Sequence, residues 1–123
     1  MRNMCISMLL VLSLVWTATA LAEEAKGRLP REAIKKVIDE HRAEIRWCYE
    51  AVLQDNPKLE GKVTLRWRID SDGKVTRVEV TETTLESPAV EGCMVEKVKK
   101  WEFPKPEGGG LVEVNYPWVF KTK

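Results

Sequence analysis

The fold is decided by residues 61–83, which read GKVTLRWRIDSDGKVTRVEVTET. Apolar and polar residues alternate over residues 63–69, which is the pattern of a strand with one buried face. Residues 70–73 read DSDG, a set of turn-forming residues, and residues 74–83 return as a second β-rich strand. Val75 is out of phase with the later valines, so we expect a bulge near the start of that strand. The stretch predicts a β-hairpin.

Helical periodicity flanks the hairpin on both sides. Before it, apolar residues recur every three or four positions over residues 30–53 and predict one amphipathic helix, with Pro30 in its first turn. After it, Ser87-Pro88 is a helix start signal, and a second amphipathic helix is predicted to continue to about residue 101. Lys97 interrupts the apolar face of this second helix.

A last strand is predicted over residues 111–120. Its apolar residues alternate and face one way, and they are Val112, Val114, Tyr116, Trp118 and Phe120. Pro117 points the other way and cannot donate a ladder hydrogen bond. The order is therefore α-β-β-α-β, and elements with one apolar face each close as a two-layer α+β sandwich. We expect a three-stranded antiparallel sheet with two helices on one face.

The composition narrows the class of protein. The chain has 123 residues, is 44% hydrophobic and 32% charged, and carries a formal net charge of +1. One domain is expected at this length, which excludes an enzyme with separate cofactor and substrate domains. The near-zero charge argues against a nucleic-acid binder, and the single His excludes a multi-histidine metal site. A binding or structural module, or a very small enzyme, remains.

The first 22 residues have the pattern of a secretory signal peptide. Arg2 precedes the apolar residues 5–16, and Ala20-Leu21-Ala22 is a small-residue cleavage motif. An uncleaved membrane anchor is the alternative, but a span needs roughly 20 apolar residues. We expect residues 1–22 to be the signal peptide, residues 23–29 a disordered mature N-terminus and residues 30–123 the domain. The mature protein would then be periplasmic, with no membrane span.

Two cysteines remain after cleavage, Cys48 and Cys93. Exported proteins keep their disulfides, and two cysteines allow one internal pairing. A catalytic thiol is the alternative, but it would need a His beside it or a C-x-x-C spacing, and neither pattern is present. A structural disulfide is the favoured interpretation.

No pattern in the sequence points to catalysis, a cofactor or a metal. The DSDG turn lacks the later oxygen ligands of a calcium loop, and Gly108-Gly109-Gly110 follows a helix, unlike a phosphate loop. His41 lies on the apolar side of the first helix and belongs to no catalytic set. Most aromatic residues fall in the inward phase of their elements, but Trp47 lies off the apolar stripe and is expected to be exposed. We predict that the protein is not an enzyme.

Several motifs taken together resemble one family. They are CYExxL at 48–53, NPxLxGKV at 56–63, WxFP at 101–104 and YPWVF at 116–120. The combination is similar to the AgmX/PglI C-terminal domain, a branch of the TonB/TolA C-terminal superfamily, over nearly all of residues 30–121. The two cysteines of that family match Cys48 and Cys93.

The resemblance implies a periplasmic module that binds an envelope protein, often in this superfamily by adding a strand to its sheet. We expect the binding edge on the last strand, with Glu113 and Asn115 flanking the incoming side chains, and the exposed face around Trp47 as the next candidate. A structural component bound to peptidoglycan or to an outer-membrane assembly is the first alternative. Membership of a TonB-type transport or gliding-motility complex is the second. The resemblance implies no catalytic residue.

Overall fold

The structure is a computed structural model and describes residues 27–122. In that part of the chain the elements are α1 (Arg31–Glu40), α2 (Arg42–Leu53), β1 (Gly61–Ile69), β2 (Val75–Thr83), α3 (Pro88–Val98) and β3 (Val112–Phe120). The strands form one antiparallel sheet in the order β2-β1-β3. The predicted α+β fold with a three-stranded antiparallel sheet is therefore confirmed. The predicted signal peptide, residues 1–22, lies outside the described residues, as do residues 23–26.

The central strand β1 separates a packed face of the sheet from an open one. Its alternate side chains have no exposed surface, and they are Val63, Leu65, Trp67 and Ile69. They join buried residues of all three helices in one core, among them Val37, Ile45, Cys48, Val90, Met94 and Val98. The intervening residues of β1 are polar and half-buried. The period of two in the sequence thus produces one face covered by helices and one face that none of the described helices covers.

The turn of the hairpin is built by residues 70–73, as predicted. The Asp70 carboxylate accepts hydrogen bonds from the backbone N–H groups of Asp72 and Lys74, both at 2.9 Å. The expected irregularity is also present, because the pairing register shifts between Arg68, which faces Arg77, and Ile69, which faces Val75. These contacts give the DSDG motif a structural role.

Gly73 ties this turn to the segment after α3. Its φ is +84°, a value that favours glycine, and its carbonyl accepts a hydrogen bond from Phe103 N–H at 2.8 Å. A Cβ at this position would lie 2.0 Å from the Phe103 carbonyl oxygen. The close approach of two backbones, and not the turn alone, requires glycine here.

We expect Gly73→Ala to lower the free energy of unfolding by more than about 2 kcal/mol, because left-handed backbone costs Ala roughly 1–2 kcal/mol and the Phe103 contact must also be displaced. Gly92 is the matched control, because it lies inside α3 and an added Cβ would meet nothing within 4 Å. Gly92→Ala should therefore raise stability by up to about 1 kcal/mol. Urea unfolding of both variants measures the difference, and equal stabilities would contradict this account.

The prediction of a single first helix was wrong. The chain forms α1 and α2, which meet at His41, where φ is −105° and ψ is 10°. The His41 ring stacks on Trp101 with a centroid separation of 4.9 Å, and its Nδ1 contacts the Glu44 carboxylate. These contacts hold His41 out of helical geometry, so residues 27–122 form three helices and not two.

Of residues 23–29, for which disorder is predicted, the structure describes the last three. Arg28 and Glu107 exchange two backbone hydrogen bonds, each 2.9 Å long. Gly27 N–H donates to the Leu111 carbonyl at 2.8 Å. Residues 27 and 28 thus lie beside the start of β3 and are held there by backbone hydrogen bonds.

The structure joins Cys48 of α2 to Cys93 of α3 by a disulfide, with the two Cα atoms 5.6 Å apart. Cys48 is buried and Cys93 is half-buried. Their separation along the chain is 45 residues. The bond therefore connects the helix before the hairpin to the helix after it.

Candidate partner-binding edge

The two outer strands of the sheet are β2 and β3, and the backbone of β3 can be assigned group by group. The Lys62 carbonyl accepts a hydrogen bond from Thr84 N–H at 2.8 Å, so the backbone of Lys62 faces the β2 side. Because strand residues alternate in direction, the even-numbered residues of β1 face β2 and the odd-numbered residues face β3. The register pairs each odd residue of β1 with an even residue of β3, as Leu65 with Tyr116. The odd residues of β3 therefore point their backbone groups away from the sheet.

The outward backbone groups belong to Glu113, Asn115, Pro117 and Val119. The hydrogen bond from Gly27 to the Leu111 carbonyl supports this assignment, because Leu111 has the same parity and its carbonyl is reached from outside. Glu113, Asn115 and Val119 each present an N–H and a carbonyl, whereas Pro117 presents a carbonyl alone. No other strand within residues 27–122 pairs with this side of β3. Unpaired groups in a row are a template for an added strand.

Two grooves run beside this edge on the face of the sheet that the helices cover. The α1 groove lies between α1 and β3, has a volume of about 700 Å³, and is lined by Arg31, Ile34, Lys35, Ile38 and Tyr116 among others. The α2 groove lies between α2 and the second half of β3, has a volume of about 690 Å³, and is lined by Ile45, Arg46, Leu53, Trp118 and Val119 among others. Each groove has room for more than one side chain. A strand added to β3 would direct every second side chain toward them.

The opposite, open face of the sheet carries paired charges. Arg66 donates to the Glu79 carboxylate through Nε at 2.7 Å and also lies 3.2 Å from a carboxylate oxygen of Glu113. Lys62 pairs with Glu82 at 3.2 Å. The hydrogen bond from Arg66 holds the pKa of Glu79 below its usual range, and the same bond raises the pKa of Arg66. The side chain of Glu113 is therefore already engaged by a cation.

The end of β3 is held by a separate contact. Thr122 donates to the Glu60 carboxylate through its backbone N–H at 3.0 Å and through its hydroxyl, and these bonds hold the pKa of Glu60 below its usual range. In the wall of the α2 groove, burial raises the pKa of Tyr49, whose hydroxyl donates to the Leu59 carbonyl. Tyr49 also stacks on Phe120 at 4.7 Å. These contacts anchor the second half of the edge to α2 and to the loop that follows it.

The three residues predicted to bind a partner fall on two surfaces. Glu113 and Asn115 are exposed neighbours on the β3 edge. Trp47 is 58% exposed on α2, where Lys97 of α3 lies 5.1 Å from the centroid of its ring. Lys97, which interrupts the apolar pattern of its helix, thus covers the exposed indole. Trp47 is not among the residues that line either groove.

Sequence reasoning did not identify the walls of the grooves. Ile34 and Ile38 belong to the apolar pattern over residues 30–53 that predicts the first helix, and Tyr116 belongs to the inward face of the predicted last strand. No local pattern in the sequence marks these residues as the walls of a groove and not as core. The side chain of His41, which belongs to no catalytic set, stacks on Trp101 and contacts the Glu44 carboxylate.

Other classes of site find no support in the described part of the chain. Among residues 27–122, no three His, Cys, Asp or Glu side chains lie together as ligands for a metal ion. The helices of this region are too short or too polar to cross a membrane. Within residues 27–122, the strand edge with its two grooves is therefore the candidate surface for binding.

Comparisons with known proteins identify one family model and several similar solved structures. The family model described as the Gram-negative bacterial TonB protein C-terminal matches residues 55–122. The solution structure of the TonB C-terminal domain from Helicobacter pylori is 24% identical, with a TM-score of 0.52, and the match covers 69% of this chain and 92% of that one. The corresponding domain from Pseudomonas aeruginosa is 25% identical, with a TM-score of 0.45, over 61% of this chain and 77% of that one. No curated protein sequence matches the chain.

Proposed function

Because the chain belongs to the family of Gram-negative bacterial TonB C-terminal domains, we propose that it is an exported protein-interaction module that binds an envelope protein by strand addition at β3. The module is not an enzyme, and its partner contributes an extended segment. Backbone hydrogen bonds to the edge supply affinity, and side chains seated in the grooves supply specificity.

The observation that carries the proposal is the coincidence of an unpaired strand edge with two grooves along the same strand. The other edge of the sheet is less suitable. The pairing of β2 with β1 shifts register twice, opposite Thr64/Leu65 and opposite Arg68/Ile69 of β1. Such irregularities twist an edge strand and interrupt its row of outward groups, which protects it against pairing. The β3 register against β1 is uninterrupted over all nine residue pairs.

The periplasm is the proposed location. Residues 1–22 have the pattern of a signal peptide, and the Cys48–Cys93 disulfide fits an oxidising compartment. Within the family, the two cysteines and the motifs around Trp101 and Tyr116 favour the AgmX/PglI branch. A structural component of the envelope is the alternative to a module that binds one specific protein.

A proline substitution at the edge tests strand addition. Asn115→Pro removes an outward N–H without touching the ladder to β1, so the variant should remain folded. Its binding to the envelope partner should fall by at least about tenfold, because a hydrogen bond is lost and the ring obstructs the approaching strand. Asn115→Ala, which keeps the N–H, should bind within about twofold of the unsubstituted protein.

The measurement is a quantitative pull-down from envelope extract, with circular dichroism to confirm the fold of each variant. A folded Asn115→Pro variant that retains the partner with unchanged affinity would exclude the β3 edge. Sedimentation of the unsubstituted protein with peptidoglycan, without a stoichiometric protein partner, would favour the structural alternative.

A further inference from the structure

The β3 edge is bounded at both ends, which limits where a strand can be added. At its start, the outward carbonyl of Leu111 is already occupied by the N–H of Gly27 at 2.8 Å. Toward its end, Pro117 has no N–H to offer. Between these two points lie the N–H and carbonyl groups of Glu113 and Asn115 and the carbonyl of Pro117. We call this stretch the 113–117 window.

Neighbouring contacts reinforce the hydrogen bond between Gly27 and Leu111 at the start of the window. Arg28 and Glu107 exchange two backbone hydrogen bonds of 2.9 Å next to the Gly27 contact. Gly27 is packed so closely that a Cβ would lie 2.4 Å from the Gly110 carbonyl oxygen. An incoming strand would have to break three backbone hydrogen bonds to reach Leu111. The chain therefore blocks extension of the added strand in that direction.

The surroundings of the window differ between the two faces of the sheet. On the open face, Glu113 is paired with Arg66 at 3.2 Å. On the helix face, Arg31 and Lys35 line the α1 groove and make no ion pair with any residue in the described part of the chain. The acidic residues of the lining are Glu32 and Glu113, and Glu113 is the one that Arg66 already pairs. The apolar floor of that groove is formed by Ile34, Ile38, Val114 and Tyr116. Side chains of a partner that point toward the helices thus meet an apolar floor beside two cations, Arg31 and Lys35, and one carboxylate, Glu32.

We propose, on the basis of the strand-addition function above, that the 113–117 window accepts a short acidic segment of the partner in a fixed register. About four residues of the partner pair with the window, which is what five outward backbone groups can hold. One apolar side chain enters the α1 groove between Ile34 and Tyr116. An acidic side chain two residues away, on the same face, lies near Arg31 and Lys35.

Two eight-residue synthetic peptides test the chemistry of the segment. Both carry a central valine; one has glutamates two residues before and after it, and the other has lysines at the same positions. Titrations are followed through the backbone amide signals of the isotopically labelled protein. We expect the glutamate peptide to shift the amides of Glu113 and Asn115 and to bind roughly tenfold more tightly than the lysine peptide.

Charge reversal on α1 supplies the matched control. Lys35→Glu should weaken the glutamate peptide roughly fivefold, whereas Lys36→Glu, one residue along and outside the α1 groove, should change its affinity by less than about twofold. Equal binding of both peptides at Glu113 and Asn115 would overturn the acidic preference and leave strand addition intact. Binding of neither peptide, or shifts confined to other surfaces, would overturn the inference.

Replacing Pro117 tests whether the missing N–H at this position limits the length of the added strand. Pro117 is exposed, and Pro117→Ala restores an outward N–H, so the ladder can continue to Val119. We expect the glutamate peptide to bind about threefold to tenfold more tightly and to shift the Val119 amide, which it leaves unchanged in the unsubstituted protein. Unchanged affinity and an unshifted Val119 amide in a folded Pro117→Ala variant would show that proline does not limit the window.

Discussion

Replacing Cys93 with Ala is expected to lower the free energy of unfolding by about 4 kcal/mol. The disulfide closes a loop over a sequence separation of 45 residues, and the chain-entropy relation gives a stabilisation of that size for such a loop. Domains of this length have total stabilities of roughly 5–15 kcal/mol, so the bond supplies a large share. Cys93 is half-buried, so truncation of its side chain adds little cavity cost to this figure.

Guanidinium unfolding of the protein, with and without reductant, measures the effect. The reduced protein and the Cys93→Ala variant should have similar midpoints, both well below that of the oxidised protein, and the Cys48 thiol should become reactive only on unfolding because Cys48 is 1% exposed. A midpoint that does not respond to reductant would show that the disulfide does not stabilise the domain.

Trp67→Ala is expected to cost about 3–5 kcal/mol, the range for truncating a buried Trp. Trp67 has no exposed surface and lies in the centre of β1. Its ring stacks on Trp118 at 6.0 Å and meets the edge of Trp101 at 6.1 Å, so it connects β3 to the segment after α3. Removing it opens a cavity among aromatic side chains that the backbone of a central strand cannot collapse to fill.

Trp47→Ala is the matched control, since it removes the same side chain from a position that is 58% exposed. It should change stability by less than about 1 kcal/mol, the expected scale of losing an exposed cation–π contact with Lys97. Thermal unfolding of the two variants makes the comparison. Similar losses of stability in both would contradict the assignment of Trp67 to the core and of Trp47 to the surface.

Local patterns predicted the sheet well, because its signals are short in range. The alternation of apolar and polar residues over residues 63–69 predicted the buried face of β1. The position of Val75 out of phase with the later valines predicted the irregular start of β2. The position of Trp47 outside the apolar face of its helix predicted that its side chain is exposed, as it is in the structure. In each case the relevant contact is set by the two-residue period of a strand or by the helical repeat, which can be read without knowledge of the rest of the fold.

The break at His41 could not be predicted in this way. Apolar residues continue at steps of three and four across a single non-helical residue, so the periodicity of the sequence does not change there. The contact that decides the geometry joins His41 to Trp101, which is distant in sequence. The pairing of Arg28 with Glu107 could not be predicted either, because backbone hydrogen bonds leave no pattern of side chains in the sequence.

The candidate site was predicted in part. Pro117 and the terminal position of the last strand pointed to its edge, and Glu113 and Asn115 lie there. The grooves depend on how far α1 and α2 stop short of covering β3, which is a property of helix packing and not of any single residue. The block at Leu111 likewise requires the fold, since it comes from a residue 84 positions earlier, Gly27.

Amide hydrogen exchange at the β3 edge tests the account most directly. In the free protein, the outward N–H groups of Glu113 and Asn115 should exchange rapidly, whereas the inward N–H groups of Val114 and Tyr116, paired with β1, should exchange slowly. In the complex with the captured envelope partner, we expect exchange at Glu113 and Asn115 to slow by at least roughly tenfold, so that the alternation disappears. Exchange at Glu113 and Asn115 that stays at its free rate in a saturated complex would contradict strand addition at β3.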